Sequence, residues 1–241
     1  MIEEKNEQGL MAGLAGIVQM ADKLDDKQIF SLIAAGVTKI AENQRTASRG
    51  SREDFFKYSD RLEKGVVEKI KKGELQAVDY EIISVVEIPA GAGKRSVDFF
   101  TSDQVYKAGI HTLNNGRTEK DFNMIVSEIG LLAANFTAPL TDAAILNADF
   151  QSVSAFPSLR NAFLNISCNN RIITRHLPVN SFYAVNLAYA TNQEHVIRLD
   201  NPKFLLGNEV LTATLEFQDA SGVPANTIAM IKLRGTATLP R

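Results

Sequence analysis

Two runs near the end of the chain limit its fold more than any other feature. In residues 209–217, Leu211, Ala213, Leu215 and Phe217 alternate with Thr212, Thr214 and Glu216. In residues 227–239, Ala229, Ile231, Leu233, Ala237 and Leu239 alternate with Lys232, Arg234, Thr236 and Thr238. Successive side chains of a strand point to opposite faces, so this patterning predicts a sheet with one dry face and one wet face. Residues 218–226, with Ser221-Gly222 and Pro224, carry the turn chemistry that joins the two runs. The final run is long, and we read it as an interior strand that locks the sheet.

Further strands are expected over residues 80–88, 95–100, 122–134, 162–168, 171–176, 181–189 and 194–199, with a bulge at Gly130. Asn169-Asn170 marks a hairpin, because Asn tolerates the positive φ that such turns need. Residues 101–121, with Gly109 and Asn114-Asn115-Gly116, read as a long loop, and residues 143–150 as either strand or short helix. The front of the chain has a different period. Residues 9–21 place Leu10, Leu14, Ile17, Val18 and Ala21 on one helical stripe, interrupted by Gly9, Gly13 and Gly16. This stripe is suited to packing on a neighbouring helix or a lipid surface. Residues 25–43 repeat Ile29, Leu32, Ile33, Val37 and Ile40 at helical spacing. A third helix, capped by Ser51, carries Phe55, Tyr58, Leu62, Val66 and Ile70 on one face and stops at Gly73 after Lys69, Lys71 and Lys72. The expected organisation is therefore a helical N-terminal arm or subdomain over residues 1–76 and a mainly β, antiparallel sandwich over residues 77–241.

The chemistry-bearing residues do not assemble into a known motif. Gly91-Ala92-Gly93-Lys94-Arg95-Ser96 has the look of a phosphate loop, but Ile88 stands where that loop needs a glycine and Arg95 where it needs Ser or Thr. His111, His176 and His195 show no metal-ligand spacing, although His176 and His195 could meet in space. Cys168 sits in a strand pattern and reads as core; as the one cysteine, it excludes an intramolecular disulfide. Asp98, Asp103, Glu119, Asp121, Asp142 and Asp149 lie near loops, where a carboxylate pair or a calcium site could form, though solvated loop acids are far commoner. Asn135 and Asn165 match the glycosylation pattern. With 26 Lys and Arg against 28 Asp and Glu, the charge is nearly balanced, which argues against a dedicated nucleic-acid binder. Arg45, Arg49 and Arg52 would still form a basic stripe on a helix, able to touch phosphates. No run approaches the roughly 18 apolar residues of a membrane span, and Glu3, Glu4 and Glu7 have the wrong sign for a secretory signal.

A helical front followed by a strand-rich body ending on a long strand resembles a jelly-roll viral capsid protein. Residues 231–241 (Ile-Lys-Leu-Arg-Gly-Thr-Ala-Thr-Leu-Pro-Arg) are similar to the last strand and tail of coat proteins from tailless icosahedral bacteriophages. So are residues 171–180 (Arg-Ile-Ile-Thr-Arg-His-Leu-Pro-Val-Asn) and Gly109 to Arg117 ahead of a strand. The resemblance covers residues 77–241 and is one of style and strand order. It implies a single jelly roll, self-assembly into a shell in the virion, and neither catalysis nor a cofactor. Its partners would be copies of the same chain and other virion proteins, with no small-molecule substrate. Leu10, Leu14, Ile17 and Val18 would then make assembly or internal-membrane contacts, and Arg45, Arg49 and Arg52 would contact the genome. Two other classes stay open: a carbohydrate-binding or hydrolytic β-sandwich with a helical dimerisation region, and a phage tail, fibre or adaptor component. The scarcity of aromatics and the lack of Trp weigh against sugar stacking.

Overall fold

The computed structural model describes residues 55, 57, 58, 61, 62, 65–183 and 196–240, all within the unit Gly50–Arg241. The two expected helices before Ser51, that Ser51 cap, Arg45, Arg49, Arg52, Leu10, Leu14, Ile17, Val18 and His195 lie outside the described residues. The first element described over its full length is helix α1 (Val66–Lys71). Strands β1 (Leu75–Ile88), β2 (Arg95–Asp98) and β3 (Met124–Asn135) follow. Next come helix α2 (Asp142–Leu146) and the two-residue β4 (Gln151–Ser152). The chain continues through β5 (Phe163–Cys168), β6 (Arg171–Pro178), β7 (Val196–Leu205), β8 (Leu211–Phe217) and β9 (Thr227–Pro240).

The strands form two antiparallel sheets, packed as a sandwich. The first has the order β1-β9-β3, with β7 and β4 side by side along the far edge of β3; the second has the order β2-β8-β5-β6. Strand β9 lies between β1 and β3 and is paired along its whole length with β1, from Thr227 against Ile88 to Pro240 against Leu75. The expectation of an interior terminal strand therefore holds. Between the sheets lies one large apolar core, to which β9 contributes Ala229, Ile231, Leu233 and Ala237, and β8 contributes Leu211, Ala213, Leu215 and Phe217. Each buried Leu, Ile and Phe among these stabilises the fold by about 1.5–3 kcal/mol relative to exposure.

The outer face of β9 corrects the expectation of one wet side. Two further apolar clusters cover its ends. At one end Ile228 and Met230 pack with Val85, Leu132, Ile110 and Ile145 of α2. At the other, Phe55, Leu62 and Val66 lie on Leu75, Ala77 and Ile125, and Thr236 and Thr238 are buried. Only the middle is wet. There Glu81 meets Lys232 at 3.8 Å and Arg234 at 3.5 Å, and Arg234 also reaches Glu128 at 3.5 Å. The apolar face expected for the third helix is thus real, but an unbroken helix is not. Gly65 has φ 87°, outside the right-handed helical region, so α1 begins only at Val66. The stop at Gly73 (φ 76°) is as expected: Gly73 N–H donates to Ile70 O and Glu74 N–H to Lys69 O, a Schellman ending.

Two further expectations need correction. The bulge is at Ser127, between Val126 and Glu128, and not at Gly130. Its extra residue reverses the parity of β3, so the core-facing side chains run Met124, Val126, then Ile129, Leu131 and Ala133. Residues 181–182, expected in a strand, belong to a 3-10 turn (Val179–Phe182) closed by hydrogen bonds over short range. Within residues 101–121 the loop contains a tight turn at Asn115-Gly116, both at positive φ, with Asn114 and Arg117 bridged as a hairpin turn requires. The ambiguous residues after Thr141 form helix α2, because Thr141 Oγ1 accepts from Ala144 N–H at its start. The Asn169-Asn170 hairpin is present, with Asn169 at φ 48° and Cys168 paired with Arg171.

Gly235 sits where β9 passes the bulge, and a β-carbon there would collide with the Ile125 carbonyl and press on Val126. The neighbours are strand backbone and cannot yield. Gly235→Ala is expected to destabilise the sandwich by about 3 kcal/mol or more, readable as a lower urea midpoint, whereas Gly222→Ala on the surface turn shifts it by less than about 1 kcal/mol.

Candidate functional site

Among the described residues, polar groups gather at one end of the sandwich, where the β2–β3 loop folds against β1. Ser84 is fully buried, and its hydroxyl donates to the Phe99 carbonyl. Gln104 Nε2 lies 2.9 Å from Ser84 Oγ, 3.1 Å from Phe99 O and 2.6 Å from His111 Nδ1. Ser84 Oγ is 3.1 Å from the same ring nitrogen. The Ser84 hydroxyl and the Gln104 amide thus both meet the His111 ring at Nδ1. Burial, followed by the nearby Lys107 charge, pushes the His111 pKa down, against a smaller opposing effect of Asp142. This is a serine beside a histidine, but not a nucleophile beside its base: the hydroxyl is sealed from solvent and no carboxylate orients the ring. The cluster joins loop to strand, together with Thr112 N–H donating to Ile83 O and Ile83 N–H to Thr112 Oγ1.

Outside this cluster is an open trough of about 390 Å³, lined by Glu87, Asp98, Thr101, Asp103, Val105 and Lys107 among others. Beside it, Lys107 pairs with Asp142 at 2.8 Å, and Leu146 of α2 approaches Gly109. A second open trough, of about 330 Å³, runs along the outer face of the second sheet, lined by Asn165, Ser167, Ile172, Arg175, His176 and Thr214. Phe163 meets the His176 ring edge-on there, with centroids 6.1 Å apart.

The loop aspartates singled out in the sequence are engaged separately. Asp98 accepts from Thr214 Oγ1 at 2.6 Å, and Asp121 from Lys69 at 2.9 Å, which lowers the Asp121 pKa. A hydrogen bond from Thr101 holds the Asp103 pKa down, and Asp149 accepts from Gln151 Nε2 at 2.8 Å. Glu119 serves through its backbone, whose carbonyl accepts from Phe122 N–H and Asn208 N–H. Among the described residues no three His, Cys, Asp or Glu side chains are placed to hold a metal ion, and no helix is long and apolar enough to cross a membrane. The glycine-rich stretch at residues 91–93 is a turn leading into β2, where Gly93 N–H donates to Asp219 Oδ1. Asn165 Oδ1 accepts from His176 N–H, and Asn135 Oδ1 from Thr227 Oγ1.

Cys168 is core, as its strand pattern implies. Sequence reasoning missed its partner, Glu209, 41 residues away, because nothing local links them. Glu209 Oε2 accepts from Cys168 Sγ at 3.2 Å, from Leu206 N–H at 2.8 Å and from Arg171. Burial, with the Glu209 carboxylate beside it, pushes the Cys168 thiol up to about 12. Sequence reasoning missed the Ser84–Gln104–His111 cluster for the same reason.

No family model and no curated protein matches the chain. Among solved structures it is similar to the acidic-stable capsid structure of Helicobacter pylori bacteriophage KHP30, with a TM-score of 0.28 and 10% identity, over 69% of this chain and 94% of that one. A likeness at that level carries no argument, and the reading below stands on this chain's own strands and surfaces.

Two outcomes follow from these environments. The native protein at pH 8 is expected to leave Cys168 unreacted with a thiol-disulfide reagent, and to react fully once unfolded in urea, because thiolate is the reactive form. His111 is held neutral when folded, so the unfolded chain takes up its proton first. Stability is therefore full above the ordinary histidine value near 6.5 and falls as pH drops below it, until the lowered folded value is reached. Denaturation midpoints measured from pH 7.5 to 5 should show that loss, and His111→Gln should flatten it.

Proposed function

We propose that this chain is a shell-forming structural protein whose body is a single jelly roll. The observation that carries the reading is the strand order. Leaving aside the two-residue β4, β1-β9-β3-β7 faces β2-β8-β5-β6, and every neighbouring pair is antiparallel. The chain crosses from one sheet to the other at each step except the β5–β6 hairpin, which is the winding of a double-sheet jelly roll. Crossings of that kind collect loops at the two ends of the sandwich, leaving them free to meet neighbours.

Jelly rolls also serve as sugar-binding domains, so the fold alone does not choose. The surfaces favour a structural role. The buried Ser84 hydroxyl and the half-buried His111 ring hold a loop in place, the loop aspartates singled out in the sequence are engaged one by one, and large apolar side chains stand exposed at loop and hairpin. In this reading the protein has no catalytic task and belongs to the virion. Its N-terminal residues act as a tether: Leu10, Leu14, Ile17 and Val18 contact neighbouring copies or an internal membrane, and Arg45, Arg49 and Arg52 the genome.

The full-length chain, purified and imaged by negative-stain electron microscopy alongside sedimentation velocity, is expected to give closed shells or rings. A monomer at every concentration tested would remove the reading.

A further inference from the structure

Asn115 is the one asparagine of the chain that precedes a glycine. A glycine in that place lets its backbone nitrogen approach the asparagine side chain, because no β-carbon stands in the way. The turn itself demands this pair: Asn115 at φ 52° and Gly116 at φ 60° are the central residues between Asn114 and Arg117. The residues that shape the turn thus also bring an amide carbon and a backbone nitrogen together in sequence.

The surroundings leave both groups unbonded. Asn115 is exposed, and among the described residues its side-chain amide makes no hydrogen bond and Gly116 N–H finds no acceptor. The turn is held through other atoms. Asn115 N–H donates to Gln104 O at 2.7 Å, Arg117 N–H to Asn114 O at 2.9 Å, and Leu211 N–H to Gly116 O at 2.9 Å. Other turn asparagines are engaged through their side chains. Asn114 Oδ1 accepts from Tyr106 N–H at 2.7 Å, Asn169 Oδ1 from Val210 N–H at 3.0 Å, and Asn180 Oδ1 from Arg160 Nε at 3.2 Å. Each of these three is also followed by a residue with a β-carbon.

We infer that Asn115 is a self-modifying site, at which the folded protein loses a side-chain amide to water and so loosens the β2–β3 loop. Hydroxide takes the Gly116 N–H proton, and the nitrogen attacks Asn115 Cγ. A carbon–nitrogen bond forms there, the bond from Cγ to the amide nitrogen breaks, and ammonia leaves with a proton from water. The resulting five-membered succinimide adds water and opens at either carbonyl. One opening gives aspartate; the other gives isoaspartate, in which the main chain runs through the former side chain. In sum one ammonia leaves and one water enters, with no change of oxidation state. Either product puts a carboxylate where a neutral amide stood, and isoaspartate also lengthens the backbone of a two-residue turn by one carbon. That pulls on the bond from Asn115 N–H to Gln104 O. Gln104 meets Ser84 Oγ and His111 Nδ1, so the disturbance reaches the cluster that holds the loop to β1. The chemistry is independent of what the chain assembles into.

The test keeps the full-length protein folded at physiological temperature, in water enriched in heavy oxygen, at mildly acidic and mildly alkaline pH. Peptide mass spectrometry is expected to show residue 115 losing its amide and taking up heavy oxygen before any other described asparagine. The loss should be faster at alkaline pH, because hydroxide starts the reaction, and an isoaspartate methyltransferase should label the same peptide. Asn115→Gly removes the reacting carbon while suiting the positive φ, and should abolish the labelling. Hydrogen exchange at the Tyr106 and Thr112 amides should quicken in the aged protein and stay unchanged in N115G aged beside it. If residue 115 converts only after unfolding in urea, or another described asparagine converts first, the site is wrong. If it converts and those two amides stay as protected as before, the loosening of the loop is overturned.

Discussion

The pairing of β9 between β1 and β3 is the constraint on which the rest of the sandwich depends. Residues at the end of the chain are hydrogen-bonded on both sides to strands that begin at Leu75 and Met124. The first sheet therefore cannot close until β9 arrives. Contacts of such sequence separation pay their loop-closure entropy before the core repays it. The same strand presents Ala229, Ile231, Leu233 and Ala237 inward, so one element holds the sheet and fills the space between sheets. The absence of a side chain at Gly235 lets the bulged backbone of β3 approach it.

The two sheets differ in what covers them, and that difference shapes the surface. The outer side of the first sheet is closed at both ends, by α2 with the β2–β3 loop and by the segment around Phe55, Leu62 and Val66. The outer side of the second sheet is left with hydroxyls and amides that bond across strands, such as Ser167 with Thr212 at 2.6 Å. Polar side chains satisfied in this way keep a sheet face soluble. Against that polar ground, Ile172 and Phe163 stand exposed. Edge strand β6 bears Arg171, Arg175 and His176, and charge of this kind discourages uncontrolled edge pairing.

Much of the body was legible because its strands alternate. In β8 every apolar residue is inside and every Thr or Glu is at the surface or half-covered. The hairpin at Asn169 and the helix stop at Gly73 were legible for local reasons, since each needs a positive φ that few residues adopt. In β3, by contrast, nearly every residue is buried on both faces, so no period remained to show that the register slips at Ser127. Thr236 and Thr238 read as wet because a hydroxyl can face water or a carbonyl equally well. Here Thr238 Oγ1 donates to Asp121 O at 3.1 Å, beneath a cover that the strand itself does not encode. The polar groupings stayed hidden because their members are distant in the chain: Ser84 with His111, and Glu209 with Cys168 and Arg171.

What the sequence determined by itself is local: which runs are strands, where turns fall, and which residues of β8 and β9 face the core. These follow from periodicity and backbone preference, which act over a few residues. The tertiary structure alone decided which strands are neighbours, which outer faces are covered, and where exposed apolar side chains stand. Those outcomes depend on how the chain crosses between sheets, and burial is a property of the neighbours a residue acquires rather than of the residue.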